Sequence, residues 1–220
     1  MKKLQHIICF LFASYHTLSA QQTIFSDGFE SGQFDSTYWT ANAIAGNGIV
    51  EPARQVSGVT GISRTGNWAV AMGRTDDNGN TLATNSLDLH LNLSGKTDVT
   101  LEFWIRSEGD NNDDEDAILI SDDGGQNFVR ALRLRPESWA NSFYGLMVVD
   151  LGMAADFNNM ELNDQFVVRF QQRGRYDFDP SFARDGFFID DVSVDGLTAI
   201  DNTYESGPLP EEFTLHQNYP

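Results

Sequence analysis

Short segments in which apolar and polar residues alternate run through most of the chain. The clearest are "VTLEFWIR" at 99–106, "LDLHLNL" at 87–93 and "FVVRF" at 166–170. An alternation of period two is typical of a β-strand that buries one face. No long amphipathic helix pattern competes with it, so the chain is predicted to be all-β.

Further strand candidates are separated by turn-forming clusters rich in Gly, Asn and Asp. The candidates are "TIFSD", "NWAVAM", "AILIS", "FVRALRL", "LMVVDL" and "FFIDDVSV". Short strands with polar turns and 19 glycines favour sheets packed face to face. We therefore predict a two-sheet antiparallel sandwich of jelly-roll type with about nine or ten strands.

The ends of the chain differ in composition from its middle. Residues 1–20 have a basic start and a short apolar run at Ile7–Phe12, which predicts a secretory signal peptide. That run is too short to span a membrane. The jelly-roll domain is predicted over 21–197, and a linker over 198–208 leads into the final segment, 209–220. The single cysteine lies in the signal peptide, so the domain is expected to have no disulfide.

The charge balance narrows the classes of partner. The chain has 14 basic and 32 acidic residues, a formal net charge of −18. A surface this acidic repels nucleic acids and anionic membranes and suits divalent cations. We expect no nucleic-acid partner and no membrane span.

Motifs for catalysis are missing from the sequence. It contains no G-x-S-x-G element and no paired carboxylates on one strand such as glycoside cleavage requires. His90 is the one histidine of the predicted domain. The chain is therefore predicted not to be an enzyme. The alternatives are an accessory module of a secreted exoenzyme, or a glycoside hydrolase of lectin-like fold with an unrecognised site.

Aromatic residues suggest a binding role instead. Trp104 points to the opposite face of its strand from Phe103 and Ile105, and Trp139 and Tyr144 lie in or near loops. Exposed aromatic rings can stack on sugars or anchor a protein partner. Trp104, Trp139 and Tyr144 are the candidate ligand-binding residues, for a glycan or a cell-surface protein.

Two adjacent aspartates interrupt the apolar strand "DGFFIDDVSV" at 185–194. Alternation would place one on each face, so at least one should point towards protein. A buried carboxylate requires a partner. That partner could be an arginine such as Arg169 or Arg184, a set of backbone amides, or a metal ion.

Three segments together resemble the MAM-type and concanavalin-A-like jelly-roll modules of secreted bacterial proteins. They are "FSDGFESGQFDSTYWT" at 25–40, "VTLEFWIRSEGDNNDDEDAILISDDGGQNF" at 99–128, and the strand at 185–194. The resemblance implies a structural calcium ion shared by the first and last strands. The matching positions are Asp27, Glu30, Asp190 and Asp191.

The turn "SDDGGQNF" at 121–128 is similar to sialidase-type Asp-boxes, which are folding elements. We expect the aspartate to cap the turn, Gly124 or Gly125 to adopt positive φ, and Phe128 to plug the core.

The last segment, "LPEEFTLHQNYP" at 209–220, resembles the start of the C-terminal sorting domain read by the type IX secretion machinery. This resemblance implies export to the medium or to the outer cell surface, with that machinery as a partner.

Overall fold

The structure is a computed structural model that describes residues 21–45, 48–55, 62–74, 83–107, 114–135, 143–174 and 185–198. The described part contains eleven strands and one short helix. The strands are β1 (Gln22–Asp27), β2 (Trp39–Ala45), β3 (Gly48–Arg54), β4 (Trp68–Arg74), β5 (Ala83–Leu91), β6 (Lys96–Ser107), β7 (Ala117–Ser121), β8 (Val129–Arg133), β9 (Gly145–Asp150), β10 (Phe166–Gly174) and β11 (Asp185–Thr198), and the helix is α1 (Leu151–Phe157).

The strands form two antiparallel sheets packed as a sandwich, which confirms the predicted fold class. The six-stranded sheet has the order β3-β4-β11-β6-β9, and β1 also pairs with β11. The five-stranded sheet has the order β2-β5-β10-β7-β8. The long strand β11 pairs first with β4 and then with β1, so the first and last strands of the domain are neighbours.

Two of the eleven strands, β2 and β3, were not predicted from the sequence. Their sequences, "WTANAIA" and "GIVEPAR", show only weak alternation. Pro52 within β3 cannot donate a ladder hydrogen bond. It is accommodated because β3 lies at the edge of its sheet.

The core lies between the sheets and is built by the alternation that defined the strands. The inward side chains of β6 are all buried, and Phe103 packs edge-on against Phe170 of β10 with ring centroids 5.0 Å apart. Trp39 is also buried and lies 5.5 Å from Phe29, again between ring centroids.

A second, smaller apolar cluster covers part of the outer face of the six-stranded sheet, the face turned away from the other sheet. It contains Ile62, Ala71 and Phe188, with Ile49, Ala53 and Tyr144 packed against it. Phe188 belongs to it because its neighbours in β11, Phe187 and Ile189, point into the main core. A segment before β4 therefore packs onto this outer face.

In the described ranges no helix is long and apolar enough to cross a membrane.

Candidate functional site

A bulge in β11 places the two adjacent aspartates. Asp190 pairs with Trp104 of β6, but the next pair is Ser193 with Glu102, so β11 has one residue more than its partner. Asp191 takes up the extra residue with a φ of 47°, a left-handed conformation that is uncommon for a residue with a side chain. Both aspartates therefore contact the same loop, instead of lying on opposite faces as strict alternation predicts.

Asp190 anchors that loop through its backbone. One carboxylate oxygen, Oδ2, accepts hydrogen bonds from the N–H groups of Arg64 (2.7 Å) and Thr65 (3.2 Å). The other oxygen, Oδ1, accepts from the N–H of Asp191 at 2.7 Å. The side chain is fully buried. Desolvation raises the pKa of Asp190 to about 6, in spite of the three amides and with a contribution from the nearby charge of Asp191.

Asp191 holds the side chains of the same loop. Its Oδ2 lies 2.7 Å from Nη1 of Arg64, and its Oδ1 accepts a hydrogen bond from the Thr65 hydroxyl at 2.7 Å. The Arg64 guanidinium in turn stacks on Trp104, with its carbon 3.7 Å from the ring centroid. Arg64 thus links the bulge to the aromatic ring on the neighbouring strand.

Glu30 fixes the far end of the loop. Its carboxylate accepts hydrogen bonds from the N–H groups of Asn67 (2.9 Å) and Trp68 (3.0 Å). Gly66, with φ +56°, lies against it, since a Cβ there would be 2.3 Å from the carboxyl carbon. At the near end, Gln55 Oε1 accepts from the Ile62 N–H at 2.8 Å. We call residues 62–68 the anchored loop.

Asp27 has a different role from the other three predicted metal ligands. Its Oδ1 accepts from the Phe29 N–H at 2.7 Å, and its Oδ2 accepts from Nε1 of Trp39 at 2.9 Å. These bonds orient a buried indole of the core and the tight turn after β1.

The fit of these residues to a calcium ion can be judged from their contacts. The structure brings Glu30, Asp190 and Asp191 to one loop, but their oxygens accept hydrogen bonds from N–H and O–H donors, and Asp191 also pairs with Arg64. Among the described residues no group of three or more His, Cys, Asp or Glu side chains is arranged to hold a metal ion. Asp27 and Asp191 do line one groove, together with Gly28. Calcium therefore stays a prediction.

That groove, which we call the Trp104 groove, crosses β1, β11 and β6 on the outer face of the six-stranded sheet. It has a volume of about 370 Å³. Its lining is Ser26, Asp27, Gly28, Glu102, Trp104, Asp191, Val192 and Ser193. An aromatic ring, three carboxylates and two hydroxyls thus share one shallow surface, a combination that suits a polar ligand with an apolar face.

Of the other two predicted ligand-binding aromatics, Tyr144 does not line this groove. Tyr144 is half-buried in the outer apolar cluster, and its hydroxyl donates a hydrogen bond to the Ile62 carbonyl of the anchored loop. Its ring also lies near the Arg106 guanidinium, 5.9 Å from carbon to centroid. Trp139 lies outside the described residues.

Sequence reasoning missed Glu102 and the anchored loop. Glu102 has the same outward parity as Trp104 in "LEFW", so alternation alone could have found it. In the loop segment "SRTGNW" at 63–68, the only recognisable signal is a glycine typical of turns. That glycine does not indicate that the carboxylates of Glu30, Asp190 and Asp191 bind the loop.

Comparisons with known proteins give distant structural matches. No family model and no curated protein matches the chain. The K2 cleaved adhesin domain of Lys-gingipain is 16% identical, with a TM-score of 0.48 over 80% of this chain and 97% of that one. The K1 cleaved adhesin domain of Lys-gingipain from Porphyromonas gingivalis W83 is 17% identical, with a TM-score of 0.44 over 80% and 97%. The CBM22-1-CBM22-2 tandem of Paenibacillus barcinonensis Xyn10C is 11% identical, with a TM-score of 0.46 over 83% and 48%. Such low identities and TM-scores carry no argument about function, so any functional conclusion has to come from the chain's own residues.

Proposed function

We propose that this chain is a non-catalytic binding module of a secreted or cell-surface protein, and that it binds a glycan in the Trp104 groove. The observation that carries the proposal is the groove itself, where Trp104 lies beside Glu102, Asp191 and Ser193. Sugars pack their C–H faces on aromatic rings and direct their hydroxyls to carboxylates and hydroxyl groups. A shallow, polar groove with one aromatic ring suits a sugar better than the apolar anchor of a protein partner.

The surroundings of Trp104 support a preformed site. Arg64 stacks on the indole and is itself held by Asp191, so the ring is fixed before any ligand arrives. A ring that is already fixed loses little conformational entropy on binding. The ligand contacts the part of the indole that lines the groove.

The carboxylates of the groove favour binding over hydrolysis. Glycoside cleavage needs a protonated carboxyl group in contact with the substrate. Asp190 has a raised pKa, but it is fully buried and does not line the groove. Asp27 and Asp191 are held by an indole N–H and by a guanidinium.

Export and calcium belong to the same proposal. The signal-peptide pattern of residues 1–20 and the sorting-like segment 209–220 support delivery to the outer cell surface by a type IX-like pathway. The resemblance of the first and last strands to calcium-containing jelly rolls supports a structural ion near Asp27, Glu30, Asp190 and Asp191.

A pull-down with insoluble polysaccharides tests the glycan site. Cellulose, xylan, chitin and peptidoglycan serve as the panel, and the wild-type protein is expected to bind at least one of them. Trp104→Ala should weaken that binding by about tenfold, as loss of an aromatic anchor does, and Glu102→Gln should weaken it less.

The control is Phe157→Ala, which removes an exposed aromatic ring that does not line the groove. It should leave polysaccharide binding unchanged. Failure to bind any member of the panel, or binding that survives Trp104→Ala, would contradict the proposal. Release of reducing sugar from a bound polysaccharide would instead support the hydrolase alternative.

A further inference from the structure

A second and larger groove lies beside α1 and shares no lining residue with the Trp104 groove. We call it the α1 groove, and its volume is about 990 Å³. It runs between the helix, the start of β6, and the segment that follows the helix. Its lining is Lys96, Thr97, Asp98, Asp150, Gly152, Met153, Asp156, Phe157, Met160, Glu161 and Leu162.

The helix turns two large apolar side chains away from the core. Its inner side is used for packing, since Leu151 and Ala155 are buried. Met153 and Phe157, by contrast, are 69% and 86% exposed. They are four residues apart, so they lie one above the other on the same side of the helix. The fold gains little from either side chain.

The surface that presents them is held in shape by hydrogen bonds. The Asp150 carboxylate caps the helix by accepting from the Met153 N–H at 2.7 Å. At the other end the Met160 N–H donates to the Ala155 carbonyl at 2.9 Å. The Glu161 N–H donates to the Asp122 carboxylate at 3.0 Å, which ties the groove wall to the β7–β8 turn.

The rim of the groove is strongly negative. Four exposed carboxylates surround it, on Asp98, Asp150, Asp156 and Glu161. The one cation of the lining, Lys96, donates a hydrogen bond from Nζ to Oγ1 of Thr198 at 3.0 Å, at the end of β11. Exposed apolar side chains surrounded by carboxylates attract a partner that carries apolar side chains between positive charges.

We propose that the α1 groove docks a cationic segment of a partner protein, in which Lys or Arg residues flank large apolar side chains. Phe157 and Met153 supply the apolar contact, and the four carboxylates supply orientation and attraction. A second copy of this chain is disfavoured as the occupant, because two acidic rims would repel each other. Anionic membranes and nucleic acids are disfavoured for the same reason.

The test uses short fluorescein-labelled peptides and fluorescence anisotropy with the whole domain. The probe peptide alternates Lys and Leu around a central Phe. One control peptide has Glu in place of every Lys, and another has Ser in place of Leu and Phe. The probe should bind with an affinity that falls as salt is raised, and both control peptides should bind much more weakly.

Variants separate docking in the groove from general attraction to an acidic protein. Phe157→Ser should weaken the probe by about tenfold, and the Met153→Ser and Phe157→Ser double variant by more. The matched control is Val148→Ser on β9, which is also exposed but lies outside the groove and should leave the affinity unchanged. Because these side chains are exposed, all variants should keep the wild-type melting temperature.

Three outcomes would overturn the proposal. The probe could bind Phe157→Ser as well as wild type, the Glu peptide could bind as well as the Lys peptide, or vesicles of anionic lipid could sediment the protein through Phe157. The Trp104→Ala variant tests whether the α1 groove and the Trp104 groove bind independently. It should leave peptide binding intact, so loss of glycan binding and loss of peptide binding are separate results.

Discussion

Two Asp-Asp pairs of the chain lie entirely within the described residues, and one carboxyl group of each has a shifted pKa, in opposite directions in the two pairs. Asp122 and Asp123 lie in the turn between β7 and β8, whereas Asp190 and Asp191 lie in the bulge of β11. In each pair one carboxylate accepts several hydrogen bonds. The pKa of Asp123 is nevertheless held well below its ordinary value, while the pKa of Asp190 is raised to about 6.

The turn explains the lowered value. Asp123 accepts from the backbone N–H groups of Gln126 (3.0 Å) and Asn127 (2.9 Å), from the Asn127 side-chain amide, and from the Ser121 hydroxyl at 2.7 Å. Asp123 is also partly exposed, so both the hydrogen bonds and the solvent stabilise its negative charge. The pKa is lowered first of all by the Asn127 backbone amide.

The bulge shows that donors alone are not sufficient. Asp190 accepts three backbone N–H bonds, yet no water reaches it and Asp191 adds a second negative charge. Desolvation outweighs the amides, so the charged form is disfavoured. The comparison teaches that solvent access, rather than the number of hydrogen bonds, decides the sign of the shift here.

The largest expected effect on stability comes from replacing Asp190, and it can be compared with the effect of replacing Asp123. Asp190→Ala leaves the N–H groups of Arg64, Thr65 and Asp191 without an acceptor in a dry site. This should lower the free energy of unfolding by about 3 kcal/mol or more. Asp123→Ala should cost less, because water can replace the lost acceptor.

Urea unfolding at neutral pH in a chelator measures both variants without the metal. Asp190→Asn, which keeps one oxygen acceptor, is the matched control and should recover part of the loss. A cost for Asp123→Ala that equals or exceeds that of Asp190→Ala would reverse the comparison.

Calcium provides the second test. If an ion is bound near the bulge, it stabilises the folded state by mass action, and a chelator should lower the melting temperature by several degrees. Glu30→Gln should remove most of this response, while Asp123→Asn should retain all of it. No response in wild type would show that the N–H donors and Arg64 are sufficient partners for the carboxylates.

The smallest expected effect is the pH dependence. A folded-state pKa of about 6 for Asp190, against an ordinary value of 3.8, means that the folded protein binds an extra proton between these values. The contribution of Asp190 to stability should therefore rise as pH falls through 6, level off near 4, and be lost again as pH rises. Asp123 has a lowered pKa, so its contribution is present above about 4 and is lost only as pH falls below that value.

Urea unfolding of wild type, Asp190→Asn and Asp123→Asn at pH 7 and pH 5, in a chelator, measures these slopes. The difference in the free energy of unfolding between wild type and Asp190→Asn should change between the two pH values. The corresponding difference between wild type and Asp123→Asn should stay the same. An Asp190 carboxyl resonance that titrates near its ordinary pKa in NMR would contradict the assignment to burial.

The turn that holds Asp123 could be predicted because all of its parts are neighbours in sequence. The Asp-box pattern correctly indicated a capping aspartate and positive φ, which Gly124 and Gly125 both adopt at 75° and 87°. The placement of Phe128 was wrong. It is half-buried under the Arg169 guanidinium, 3.8 Å from carbon to centroid, and is not part of the main core.

The partner of the bulge could not be predicted in the same way. The sequence suggested Arg169 or Arg184 for the aspartates, but Arg169 forms a bidentate ion pair with Asp88 on the other sheet, and Arg184 lies outside the described residues. The arginine that binds Asp191 is Arg64, 127 residues away along the chain.

The sequence by itself determined nine of the eleven described strands, their sheet faces and the self-contained turn. In these features the relevant interactions connect residues a few positions apart, so the pattern of side chains along the chain is enough to specify them. The tertiary structure alone decided that the last strand bulges by one residue. It also decided that Glu30, Asp190 and Asp191 meet on one loop, and that Trp104 and Glu102 line one groove with β1. Those contacts depend on which strands pair and in which register. Register is set by the packing of whole sheets. One added residue in a strand moves the side chains that follow it to the other face of the sheet, unless a bulge absorbs it.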